Sequence, residues 1–270
     1  MPDRGLVESS LLLHCDISIA DSYTSQTQRS RVISEAWFRS FGYCLSCDSS
    51  ELRPTIANTK VSDFVCPGCN QSYELKTFEL KPKRNLVDGA YSAMISRIKS
   101  GDAPTLMLLE RSHAWDVQSL TAVHGLFLTP SVIVQRKPLS PGARRAGWVG
   151  CNIRLDLIAE DAQIPLVKDG QPNDPKVVRA AFRQFNRLGE LNLNARGWAT
   201  LTLRMIRSLG RSTFSLDDLY QRELRFSSVY PANQNVRAKI RQQLQVLRDM
   251  GYLEFCGRGT YRLLIEAASS

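Results

Sequence analysis

Residues 63–81 read DFVCPGCNQSYELKTFELK and carry donors of two chemically opposed kinds. Cys66 and Cys69 form a CxxC pair, which offers soft sulfur ligands. Asp63, Glu74 and Lys76 form an Asp…Glu-x-Lys pattern, in which two carboxylates suit a hard divalent cation and the lysine handles a nucleophilic water. On an extended chain residues i and i+2 share a face, so Glu74 and Lys76 project together while Tyr73 and Leu75 point the other way. A short hairpin through the CxxC turn would bring Asp63 beside them. Such a site binds Mg²⁺ and hydrolyses phosphodiesters. A second Glu-Leu-Lys, Glu79 and Lys81, competes for the role. It lies five residues on, an odd offset that turns it to the opposite face, and it adjoins Pro82, where a strand should end. Glu35, near the edge of an earlier helix's apolar face, is a candidate further carboxylate.

Cys44 and Cys47 make a second CxxC pair, separated from the first by eighteen residues. Four thiolates in two knuckles close a tetrahedron and leave no open position, so the spacing predicts a structural zinc site. A redox role would need a thioredoxin-like βαβ setting that the surrounding pattern lacks. The chain has seven cysteines, an odd number that argues against a disulfide framework. Cys15, Cys151 and Cys256 are isolated and are expected to be buried.

The elements that position these groups follow from periodicity. Residues 29–39 place Val32, Ile33, Ala36 and Trp37 on one helical face, with Ser and Thr residues ahead of them to cap it. The two runs around the second knuckle read as strands. Residues 88–101 read as a helix ending at Gly101, followed by three more strand-like runs. The Pro, Gly and Asp content of 163–175 suggests a loop, and a helix is expected over 175–188. The first domain, residues 1–190, is therefore α/β with a mixed sheet. Residues 191–270 read as three helices and a terminal hairpin around Gly257-Arg258-Gly259, the pattern of a winged helix-turn-helix. Its third helix, 233–250, carries Val236, Ile240, Leu244 and Leu247 on one stripe and is the candidate recognition helix. Asn233, Gln234, Asn235 and Arg237 stand at its start, Arg241 and Gln245 lie opposite the stripe, and Arg258 sits at the wing tip.

Charge separates the two parts. Residues 191–270 hold 12 Lys and Arg against 6 Asp and Glu, whereas the first 190 hold 23 against 20. An Arg-rich module of this size suits a phosphate backbone. A hydrophobic content of 43% supplies a core. No membrane-length apolar run and no signal-peptide layout are present, so a cytoplasmic protein is expected. The three histidines have no ligand spacing.

The segments CLSC, SDFVCPGC, YELK, DGAYSAM, QRKPLSPGARRAGWVGCNI, LVKDGQPNDP, RQQLQVLRD and GRGTYRL together resemble the DpnI family of methyl-directed restriction endonucleases. The resemblance spans nearly the whole chain. It implies a PD-(D/E)xK nuclease domain with a structural zinc, followed by a winged helix. The family's metal-binding acids match Asp63 and Glu74 and its active-site lysine matches Lys76, which selects the first Glu-Leu-Lys. Its zinc cysteines match Cys44, Cys47, Cys66 and Cys69. Ser62 departs from the wider motif, where Pro precedes the first Asp; it affects a turn and no ligand. The resemblance further implies a type II enzyme, monomeric in solution, that uses Mg²⁺ to cut both strands of double-stranded DNA at GATC containing N6-methyladenine. A reader of that base needs an apolar wall beside polar contacts. Trp148, with Arg144 and Arg145, offers both in the first domain; Asn and Gln for adenine and Arg for guanine offer the second set. Removing residues 191–270 is expected to weaken binding and leave residual methyl-dependent cleavage. The alternatives are a non-catalytic zinc and winged-helix regulator, or a nuclease of the same fold with another site or methyl specificity.

Overall fold

The computed structural model describes residues 13–55, 62–80 and 84–265. Lys81 of the second Glu-Leu-Lys, and Val61, lie outside the described residues. The chain divides into two compact units, each built from non-contiguous segments. The first comprises residues 1–82, 104–125 and 164–183, and the second comprises 83–103, 126–163 and 184–270.

A seven-stranded mixed sheet organises the first unit, in the order Arg53–Pro54, Phe64–Val65, Ser72–Phe78, Thr105–Arg111, Val117–Val123, Gln163–Lys168, Gln171–Pro172. Ser72–Phe78 pairs antiparallel with Phe64–Val65 and parallel with Thr105–Arg111. A parallel pair needs a crossover, and here the connection contains the strand Asn85–Ala90 and the helix Tyr91–Lys99 of the second unit. The central strand Thr105–Arg111 is buried along its first five residues, as expected of a strand covered on both faces.

The first helix, Gln26–Phe41, is longer than its apolar period predicts. Ile33, Trp37 and Phe38 are buried, while Val32 and Ala36 are only half-buried, so the buried stripe is rotated toward Phe38. Phe38 meets Phe64 edge-on, with ring centroids 5.0 Å apart. Ser25 occupies the N-cap position without a side-chain capping bond. The helix ends where Gly42 donates to the Phe38 carbonyl at 2.7 Å. A Cβ on Gly42 would stand 2.6 Å from that oxygen, so the residue that turns the chain toward the first knuckle has to be glycine.

Three expectations are corrected. Residues 163–175 are not a loop: Gln163–Lys168 is a sheet strand that turns back through Asp169 and Gly170, both at positive φ, onto Gln171–Pro172. The helix after it stops at Arg183 and gives way to a 3₁₀ segment, Asn186–Glu190. The helix expected over 88–101 begins only at Tyr91, because Asp88–Ala90 pair with Gly150–Cys151 in a sheet.

In the second unit Asn85–Ala90, Gly150–Arg154 and Ile133–Gln135 form one three-stranded sheet. The winged module contains the helices Leu193–Arg207, Leu216–Tyr220, Glu223–Val229 and Val236–Asp249. Ser215 and Asp218 close a capping box at the start of the second of these. The wing pairs Leu253–Gly257 with Thr260–Leu263, which also pairs with Thr213–Ser215. Glu223–Val229 was not expected from the sequence, and Cys256 is exposed because it lies on the outer wing strand. Arg207 of the first winged-module helix is ion-paired with Asp161, which is 4% exposed, and Arg204 donates to the Asp156 carbonyl at 2.8 Å. A chain cut at 190 would therefore strand a buried carboxylate, so truncation removes more than a DNA-binding module. No helix among the described residues is long and apolar enough to cross a membrane.

Phe38 holds the helix that carries Glu35 onto the sheet. Phe38→Ala is expected to destabilise the protein by about 3–5 kcal/mol, measured as a lower urea midpoint at unchanged slope.

Candidate active site and thiolate cluster

The hairpin Phe64–Val65 to Ser72–Phe78 does what the spacing required. Its register sets Phe64 opposite Tyr73, and the Asp63 amide donates to the Tyr73 carbonyl at 2.9 Å. The Asp63 carboxylate then accepts the Leu75 amide at 2.8 Å, which fixes it over the backbone between Glu74 and Lys76. Lys76 Nζ lies 2.5 Å from Glu74 Oε1. Glu74 is 8% exposed and Lys76 is half-buried. Their parallel-strand partners are Leu106 and Leu108, both fully buried, so an apolar wall backs the pair and weakens screening.

Across from this strand, the first helix and residues 75–78 enclose a cleft of about 430 Å³, lined among others by Gln26, Arg31, Glu35, Lys76 and Phe78. Arg31 reaches Glu35 at 3.1 Å. Burial pushes the Glu35 carboxyl above its ordinary range; Arg31 draws it down and the Asp63 charge pushes it up again. Glu35 and Asp63 thus sense each other electrostatically. Asp63 and Glu74 bring two carboxylates to one strand–turn–strand unit, a pair of the kind that suits a hard divalent cation such as Mg²⁺. The second Glu-Leu-Lys serves elsewhere: Glu79 pairs with Arg111 at 3.1 Å on the exposed end of the sheet.

The sulfur atoms of Cys44, Cys47, Cys66 and Cys69 lie within 4.8 Å of one another. Cys44–Cys69 and Cys47–Cys66 are both 3.5 Å apart. Sulfurs about 2.3 Å from a tetrahedral zinc stand about 3.8 Å apart, so the cluster fits that ion. Backbone amides of Cys47 and Gly68 point at Cys44 and Cys66 sulfurs at 3.4 and 3.3 Å, the usual support of a knuckle. The helix Pro175–Arg183 clamps the first knuckle from outside. Arg179 donates to the Cys44 and Ser49 carbonyls, and Arg183 donates to the Ser46 carbonyl.

Tyr73 joins the two centres. Its side chain leaves the strand on the face opposite Glu74, is fully buried, accepts the Leu45 amide at 2.9 Å and lies 3.3 Å from Cys44 Sγ. The sequence reading turned Tyr73 away from Glu74 but gave it no partner, and it gave Arg31, Arg179 and Arg183 no role. Only the i, i+4 spacing of Arg179 and Arg183 on one helix could have drawn attention to a shared target.

The DNA-reading candidates lie in the second unit. Trp148 is half-buried, with the Arg145 guanidinium 4.7 Å from its ring centroid. It lies against Gly150, where a Cβ would stand 2.9 Å from the indole. Arg144 is exposed. Asn233, Gln234 and Asn235 precede the candidate recognition helix, which starts at Val236, and the Asn235 amide donates to Asn233 Oδ1 at 2.9 Å. They belong to the turn that enters the helix because Pro231 and the Asn233 side chain hold that segment out of helical geometry. Arg237, Arg241 and Gln245 are exposed while Val236, Ile240, Leu244 and Leu247 are buried. Arg258 occupies the wing tip at φ 49° between two glycines.

Two family models match this sequence. One, described as the Dam-replacing family, DpnI, matches residues 11–190, and the other, described as the Dam-replacing HTH domain, matches residues 194–263.

Tyr73→Phe leaves the buried Leu45 amide without its acceptor. The expected cost is about 1–3 kcal/mol, read from urea unfolding, together with faster loss of thiolate-bound zinc to a chelator.

Proposed function

We propose that this chain, which belongs to the Dam-replacing family, hydrolyses both strands of duplex DNA at GATC sites containing N6-methyladenine, with Mg²⁺, leaving 5′-phosphates. The family assignment carries the coarser statement, a methylation-dependent restriction endonuclease acting on DNA. The finer reading rests above all on one observation: Asp63, Glu74 and Lys76 converge on one strand–turn–strand unit whose Lys76 lines an open cleft.

Asp63 and Glu74 would hold the magnesium ion, with Glu35 in reach of the same site. The ion supplies charge neutralisation at the phosphate and acidifies water. The chain's own part is positional. The Leu75 amide fixes the Asp63 carboxylate, and Glu74 keeps the charged Lys76 Nζ at the cleft wall, where it can orient a water and stabilise the negative charge that develops on it. The water oxygen forms the new bond to phosphorus and gives its proton to solvent, the bond to the 3′ oxygen breaks, and that oxygen takes a proton from solvent. Zinc in the four-cysteine cluster holds the hairpin in shape and takes no part in hydrolysis.

For base reading, the Trp148 indole offers a flat apolar surface to the methyl group, with Arg144 and Arg145 beside it for guanine or phosphate. The winged helix supplies the second set: Asn233, Gln234, Asn235, Arg237 and Arg241 at the recognition helix, and Arg258 on the phosphate backbone.

One plasmid prepared from adenine-methylating and non-methylating hosts tests this directly. With Mg²⁺ the methylated preparation is expected to be cut at GATC and the other to survive; equal resistance of both, with active controls, sinks the reading. Asp63→Asn keeps an acceptor for the Leu75 amide and removes the charge. It and Lys76→Ala are expected to slow cleavage by about 10²–10⁴-fold or more, with DNA binding retained. Trp148→Ala is expected to reduce methyl discrimination by about tenfold; unchanged discrimination would remove Trp148 from the reader.

A further inference from the structure

The exposed arginines of the recognition helix are not free side chains. Arg237 Nε lies 2.7 Å from Glu223 Oε2, and its guanidinium stands 5.0 Å from the Tyr220 ring centroid. Arg241 Nη1 donates to the Tyr220 hydroxyl at 2.6 Å. Tyr220 ends the helix Leu216–Tyr220 and Glu223 opens the next, so two residues on either side of a short turn hold two arginines on neighbouring turns of Val236–Asp249. Glu223 engages Arg237 through Nε, which leaves the terminal Nη edge directed elsewhere. Tyr220 engages one nitrogen of Arg241. Each guanidinium has five N–H donors, so each keeps a pair available for a bidentate contact.

We infer that Tyr220 and Glu223 are positioning residues for DNA recognition: they fix Arg237 and Arg241 in advance so that their remaining nitrogens meet guanine or phosphate without first being ordered. This rests on the reading of Val236–Asp249 as the recognition helix. Long side chains lose rotamer freedom on binding, and restraining them beforehand lowers that loss. A cation over a ring and a hydrogen bond to a phenol also suit this duty because neither neutralises the arginine. Glu223 does bring a negative charge near the duplex, and it penalises placements on DNA in which Arg237 gains no contact of its own.

The test uses the full chain and a duplex bearing one GATC site, adenine-methylated on both strands or on neither, with binding followed by fluorescence anisotropy without added magnesium. Tyr220→Phe removes the hydroxyl and keeps the ring. It is expected to weaken binding to the methylated duplex about three- to tenfold and to raise KM for cleavage by a similar factor with kcat unchanged. The same substitution made on top of Arg241→Ala is expected to have no further effect, which a merely structural tyrosine would not show. Glu223→Gln is expected to lower the ratio of methylated to unmethylated affinity by weakening the hold on Arg237 and easing non-specific binding. Wild-type affinity in Tyr220→Phe, or a loss that persists in the Arg241→Ala background, overturns the inference while the recognition helix stands. If neither Arg237→Ala nor Arg241→Ala weakens binding, the recognition-helix reading falls and takes the inference with it.

Discussion

A pleated strand sends consecutive side chains to opposite faces, and the pair Tyr73 and Glu74 turns that rule into a mechanical coupling. On one face Tyr73 is tied to the first cysteine knuckle; on the other Glu74 meets Lys76 beside Asp63. The strand cannot slip by one residue without exchanging the phenol for the carboxylate, which would bury a charge among sulfurs and an apolar core. Register is thus set twice, by the thiolate cluster and by the fully buried aromatic core around Phe38 and Phe64. The arginine clamps from Pro175–Arg183 onto the carbonyls of the first knuckle complete the same constraint from a helix more than a hundred residues further along the chain.

Two ion pairs on the walls of the cleft differ in strength, and the difference decides which one yields. Glu74 and Lys76 have side chains 11% and 21% exposed against a wall of leucines, so their separation would be expensive without a replacement charge. Arg31 is 59% exposed, and a surface pair of this kind contributes only about 0–1 kcal/mol. A phosphate or cation entering the cleft therefore displaces Arg31 from Glu35 far more readily than it opens Glu74 and Lys76. The lysine stays placed while the helix side of the cleft adapts.

Local chemistry was legible in the sequence, and long-range chemistry was not. Two CxxC pairs, an i, i+2 Glu and Lys and an apolar stripe from Val236 to Leu247 each declare themselves within a few residues. The four-cysteine cluster and the hairpin that brings Asp63 beside Glu74 and Lys76 were therefore legible from spacing. The clamp from Arg179 to the Cys44 carbonyl joins positions 135 apart, and no periodicity reports such a contact. Tyr73 was placed on the correct face, but its target depends on where the first knuckle folds. The strand Gln163–Lys168 was missed for another reason. Pro165 and Pro172 suggested a break, although Asp169-Gly170 between them is a hairpin turn pair whose positive φ values suit those residues. Pro172 sits in the last, edge strand of the sheet, where a missing N–H does least harm.

The interleaving of the two compact units along the chain sets an order of events during synthesis. Asp63 and Glu74 are synthesised early, yet the strand Ser72–Phe78 finds its parallel partner only with Thr105–Arg111. The first knuckle gains its clamp only when Arg179 and Arg183 emerge. By then the segments carrying Trp148 and the neighbouring arginines already exist. A nascent chain therefore completes the fold around Asp63, Glu74 and Lys76 only after the segment carrying Trp148 has been made, so the cleft is among the last features to be secured.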